Sequence, residues 1–174
     1  MFGNAKHPRV ILALCLFAVV AIAGVAVVES SPATLGLGLD AATQLEGDYS
    51  SHLQTVHSMN VSAIEQDYTS DASVQFSVPG HETTGNHTGL KSIGILFGAD
   101  MFPNFALPNF SRLNSTVKVL GSTATLDSTF VVNGFNSDAS PQTAKVSSHV
   151  EYVRQGGSWL IRFESWSFTF PNAG

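Results

Sequence analysis

One apolar stretch, Val10 to Val28, is unbroken by any polar residue, whereas the rest of the chain mixes apolar and polar positions at short spacing. As a helix, these nineteen residues would extend about 28 Å at roughly 1.5 Å per residue, enough to cross the hydrocarbon core of a bilayer. Lys6, His7 and Arg9 precede the stretch, and no basic residue lies between Glu29 and Asp40. Positive charge stays on the cytoplasmic side, so the pattern predicts a single-pass N-terminal transmembrane helix with the remainder outside the cytoplasm. Small residues at Ala21, Ala23 and Ala26 also suit a cleaved signal segment, which would release a secreted domain. The expected organisation is a short cytoplasmic segment (1–9), a transmembrane anchor or signal segment (10–28), a linker (29–39) and one folded domain (40–170).

Within the domain, Leu45, Tyr49, Leu53 and Val56 recur at helical spacing behind Asp40, which can cap the helix they define, and His52 lies on their stripe. Asn60 can cap a second, short helix through Ala63, Ile64 and Tyr68. Ser73 to Val78 alternates as a strand until Pro79-Gly80, and a turn-rich segment follows. Thr88 can start a third helix carrying Leu90, Ile93 and Phe97 on one face. Met101 to Leu113, with three phenylalanines and two prolines, fits neither a helix nor a strand and predicts a loop with buried contacts. Strand patterns then cover 115–120, 122–133, 143–155 and 158–170, with turns at Gly121, Asn136 to Pro141 and Gly156-Gly157. Three helices followed by an antiparallel meander make an α+β domain.

Composition narrows the partners. From Glu29 onward, six Lys and Arg face thirteen Asp and Glu, a balance of minus seven, which argues against a nucleic-acid partner. Cys15, the only cysteine, lies in the apolar stretch, so the domain has no disulfide. Asn60, Asn86, Asn109 and Asn114 each begin an N-x-Ser/Thr sequon and are glycosylation candidates if the domain is translocated.

The candidate chemistry is sparse. His149 and Glu151 share one strand face by the period of two, which allows an acid/base pair or a solvated polar surface. Arg162 and Glu164 share a face by the same period, and with Asp127 on a neighbouring strand they predict a cross-strand ion pair. Should that face line the interior, Arg162 would suit a carboxylate ligand. His81-Glu82 begins like H-E-x-x-H, but Gly85 stands where the second histidine would be, so no metal site is expected, and no motif calls for a cofactor. Phe76, Phe97, Phe102, Phe105, Tyr152 and Trp166 can line an apolar cavity or simply fill a core.

The order helix, short helix, strand, helix, long strands resembles the nuclear transport factor 2 superfamily, in particular its SnoaL-like branch. Tyr68-Thr69-Ser70-Asp71-Ala72-Ser73-Val74 is similar to that branch's entry into the first strand, Gly89 and Ile93 to its Gly-x-x-x-Ile helix start, and Gly157 to Ile161 with Ser165-Trp166-Ser167 to its closing hairpin. The resemblance implies three N-terminal helices packed on a curved antiparallel sheet, a cone or half-barrel, with a ligand inside it. Steroid-isomerase-like members carry a carboxylate base where this chain has Phe76, and His52 falls where they carry a hydrogen-bonding tyrosine. The second carboxyl donor of such sites lies on a late strand, with His149 and Glu151 as the nearest candidates here. Three readings stay open. The first is a membrane-anchored domain binding a small, largely apolar molecule against Tyr49, His52, Phe76, Phe97, Phe102, Phe105, Tyr152 and Trp166. The second is an isomerase- or cyclase-like enzyme using His52 with His149 or Glu151. The third is a non-catalytic module forming a homodimer.

Overall fold

The computed structural model describes residues 35–79, 85–136 and 139–171. The apolar stretch 10–28, the cytoplasmic segment before it and His81-Glu82 lie outside the described residues, among which no helix is long and apolar enough to cross a membrane.

The first helix, α1 (Leu35–His57), starts five residues before Asp40, within the span expected to be linker. Ala42, Leu45, Tyr49, Leu53 and Val56 are buried along it, so the stripe read from spacing is the face laid on the sheet. Asn60 caps α2 (Val61–Glu65), its side-chain oxygen accepting the amide of Ala63 at 3.2 Å. Strand β1 (Tyr68–Ser77) is followed by β2 (Gly85–Thr88), a short strand within the segment expected to be turns. The third helix, α3 (Leu90–Ile95), begins after Gly89, whose φ of 80° is one a side chain rarely adopts. It widens into a π-helical stretch (Leu96–Met101) and closes with a single turn, α4 (Phe102–Asn104).

Four long strands complete the chain: β3 (Ala106–Leu120), β4 (Thr123–Phe135), β5 (Pro141–Gln155) and β6 (Ser158–Thr169). The sheet order is β2-β1-β6-β5-β4-β3; β1 runs parallel to β6 and every other pair is antiparallel. Strand β3 begins nine residues before Ser115 and takes in much of the expected loop. Pro108 obscures this in the sequence because proline cannot donate to a ladder, but β3 is an edge strand, where that loss is tolerated. The helices cover one face of the sheet, and the core between them runs from Ala42 to Phe168.

Gly134 on β4 lets Phe105 and the start of β3 approach: a Cβ there would lie 2.6 Å from the Phe105 ring and 2.8 Å from the Ala106 carbonyl oxygen. Gly134→Ala is therefore expected to lower stability by about 1–3 kcal/mol, as an overpacked core does. Gly47→Ala, on the exposed side of α1 with nothing within 4 Å, should raise it by roughly 0.5–1 kcal/mol. Urea unfolding of the two variants should move the midpoint in opposite directions.

Candidate functional site

The interior chemistry depends on one extra residue in β6. Trp159 and Ile161 face inward, Arg162 is exposed, and then Glu164, Trp166 and Phe168 face inward, so the alternation changes phase at Arg162-Phe163. Glu151 pairs with Phe163 and Tyr152 with Ile161, which leaves Arg162 as the bulged residue. Arg162 and Glu164 therefore do not share a face, contrary to the period-two expectation. Arg162 donates to Glu151 on the outer face at 2.8 Å, and Glu164 is fully buried.

Three donors meet the Glu164 carboxylate. The Tyr68 hydroxyl and the His52 Nε2 address Oε2, the latter at 3.5 Å, while the Trp166 indole N–H donates to Oε1 at 2.7 Å. The other nitrogen of His52, Nδ1, faces Asp67 Oδ2 at 2.8 Å. Asp67 is partly exposed and His52 is buried, so a carboxylate, an imidazole and a second carboxylate run in sequence from the surface to the centre of the domain. Tyr49 stacks on His52 with ring centroids 5.9 Å apart, and its hydroxyl donates to Ser148, which is joined to Ser128 at 3.0 Å.

Burial alone would push the His52 pKa down, but Glu164 and Asp67 outweigh it and raise it from 6.5 to about 9. Burial would push the Glu164 pKa up; the His52 charge and the bonds from His52, Tyr68 and Trp166 overcome that and hold it below 4.5. At neutral pH the site is thus a charged His52–Glu164 pair. Burial, reinforced by the negative charge of Glu164, pushes the hydroxyls of Tyr49, Tyr68 and Tyr152 well above their ordinary range, so all three stay neutral.

Beyond Glu164 the interior is aromatic. Trp166 is ringed by Phe76, Phe97, Phe110, Phe130 and Phe168 at centroid distances of 5.2 to 6.2 Å. Phe97 also meets Phe102 at 6.1 Å, and both belong to the segment that winds from π-helix into α4; Phe105 follows it, buried. Tyr152 is buried on the inner side of β5, and its hydroxyl has no hydrogen-bond partner among the described residues.

The fold thus brings together Tyr49, His52, Phe76, Phe97, Phe102, Phe105, Tyr152 and Trp166 as inward-facing residues. It does not bring His149 or Glu151 to His52. Both lie on the opposite face of β5, where His149 Nδ1 meets Asp127 at 2.7 Å and Glu151 meets Arg162. Glu164 and Asp67 are the residues that sequence reasoning missed. The phase change in β6 hides the first, and the second stands in the turn between α2 and β1, where no periodicity marks it. Among the described residues no cluster of His, Cys, Asp and Glu has the arrangement of a metal site.

No family model matches the chain, and no curated protein sequence is similar to it. Solved structures are similar in fold. LinA superposes with a TM-score of 0.67 at 16% identity over 78% of this chain and 92% of its own. An NTF2-like protein of unknown function from Pseudomonas putida gives 0.62 at 19% identity, covering 78% and 91%. A ketosteroid isomerase-like protein from Erwinia carotovora gives 0.61 at 16% identity, covering 72% and 94%. The chain has the cone-shaped α+β fold of the nuclear transport factor 2 superfamily, as the order of its elements led us to expect.

The buried pair makes stability depend on pH at both ends. Because the His52 pKa is raised on folding, its contribution is complete below pH 6.5 and is lost as the pH rises through about 9. Because that of Glu164 is lowered, its contribution is present above pH 4.5 and is lost as the pH falls below it. Denaturation midpoints measured across this range should form a plateau that falls away on both sides. Glu164→Gln, which leaves a buried imidazolium without its inner partner, is expected to cost about 3–5 kcal/mol at neutral pH.

Proposed function

We propose that this chain is an extracytoplasmic, membrane-tethered SnoaL-like domain that binds a small, largely apolar molecule inside its cone. The observation that carries the reading is the ring of five aromatic side chains around Trp166, one of which, Phe97, sits on a π-helical stretch. π-helical turns are rare and are frequently found at functional sites. This one places Phe97 against Phe102, so the segment forms one aromatic wall of the interior. A largely apolar guest suits aromatic walls, and the Tyr152 hydroxyl offers it a polar contact. The tether rests on Val10 to Val28 and the basic residues before it.

A second reading, an isomerase- or cyclase-like activity, is favoured by the strongly perturbed His52 and Glu164. In it His52 would act as an acid beside Glu164, not with His149 or Glu151, which occupy the other face of the sheet. Glu164, already meeting three donors and held ionised, is poorly placed to be the base. Binding is the better-supported account.

Trp166 is central to the cone and Trp159 stands apart from the aromatic ring, beside Arg154. Titrating apolar ligands into the protein should change the tryptophan emission in the parent and in Trp159→Phe, and the change should vanish in Trp166→Phe. An emission that no ligand in a chemically broad apolar panel alters would contradict the binding reading.

A further inference from the structure

The two edges of the sheet carry a pattern that the interior site does not explain. Three of the four sequon asparagines lie on edge strands, Asn86 on β2 and Asn109 and Asn114 on β3, and none lies on the four strands between them. All three are exposed. Asn60, the fourth, uses its side chain to cap α2, whereas the side-chain amides of Asn86, Asn109 and Asn114 make no hydrogen bond among the described residues.

Strand β3 is the longer edge, and among the described residues no strand pairs with its outer side. Its first residues are covered: the Leu107 amide donates to Met59 Sδ at 3.5 Å, and the Pro108 carbonyl accepts from the His57 ring at 2.7 Å. From Asn109 to Val117, no described residue outside the sheet bonds to the backbone of the strand. The strand nevertheless exposes Leu107, Leu113 and Leu120 at 57, 51 and 82%. A long edge with exposed apolar side chains is a template for pairing with another chain, and proteins blunt such edges.

Residues five apart on a regular strand point to opposite faces. Here Arg112 pairs with Phe130 and Asn114 with Thr129, so Leu113 is an extra residue and the alternation slips by one. Asn109, opposite the exposed Asn133, and Asn114, opposite the half-exposed Thr129, thereby project to the same outer side, while Phe110 packs inward against Phe130 and Trp166.

We propose that Asn109 and Asn114 carry N-linked glycans that shield the free edge of β3 from pairing with a second chain, with Asn86 modified in the same way at the opposite edge. The inference rests on the extracytoplasmic reading, since transfer takes place on that side of the membrane. The donor is a polyprenyl phosphate- or diphosphate-linked oligosaccharide supplied by the host membrane. The asparagine Nδ2 forms a bond to the anomeric carbon and loses a proton, while the bond from that carbon to the phosphate oxygen breaks and the lipid phosphate leaves with the electron pair.

The test uses the full chain produced in its own host. A membrane-impermeant amine reagent applied to intact cells reads the side of the domain through the exposed Lys145, and peptide mass spectrometry reads Asn86, Asn109 and Asn114. Labelled Lys145 with added sugar mass at Asn109 and Asn114 is the expected result. The mass should be lost in Asn109→Gln and Asn114→Gln, and equally in Ser111→Ala and Thr116→Val, which keep the asparagines. The double variant Asn109→Gln/Asn114→Gln should keep its circular dichroism but shift to larger species in sedimentation, and adding Leu113→Lys should reverse that shift. Labelled Lys145 with bare asparagines overturns the proposal and leaves the location standing. Unlabelled Lys145 overturns both. Glycans whose removal leaves the sedimentation unchanged overturn the shielding role.

Discussion

The interior of this domain is organised around one carboxylate. Glu164 is fully buried, and a bare charge in such a place would cost several kcal/mol. Its neighbours come from three elements: His52 from α1, Tyr68 from β1 and Trp166 from β6 itself. Satisfying it therefore fixes how the first helix lies on the sheet and how β1 meets β6. Removing the carboxylate would leave the histidine, the tyrosine and the indole each short of an acceptor, so the group holds its neighbours as much as they hold it.

Trp166 couples this polar centre to the apolar half of the cone. Its indole N–H is committed to Glu164, which orients the ring, and the oriented ring is the hub that Phe76, Phe97, Phe110, Phe130 and Phe168 pack against. Polar bonds thus set the position of the aromatic cluster, and burial of the cluster keeps water from competing for the carboxylate. The outer face is separate in its chemistry, with His149 hydrogen-bonded to Asp127 and Arg162 forming a partly exposed ion pair of small energetic weight with Glu151.

Much of the fold was legible because its long elements keep a clean period. The stripe Leu45, Tyr49, Leu53, Val56 marked α1, Asn60 marked the start of α2, and the glycines at 121, 156 and 157 marked two of the hairpins. The inward-facing aromatics were legible for the same reason. What stayed hidden were departures from period. The bulges at Arg162 and Leu113 each slip the alternation by one residue, so counting by twos put Glu164 on the same face as Arg162 and gave no reason for Asn109 and Asn114 to lie together. Pro108 argued for a loop because the sequence does not reveal that β3 is an edge. Asp67 has no periodic neighbour at all, and its pairing with His52 follows from the path of the chain between α2 and β1.

The most direct test of this account is the protonation state of His52, read from the nitrogen shifts of the labelled imidazole in the folded protein at pH 7.5. A charged ring with both nitrogens protonated, held between Asp67 and Glu164, is the predicted result. A neutral ring would mean that Glu164 is not its ionised partner, and the carboxylate-centred interior described here would be wrong.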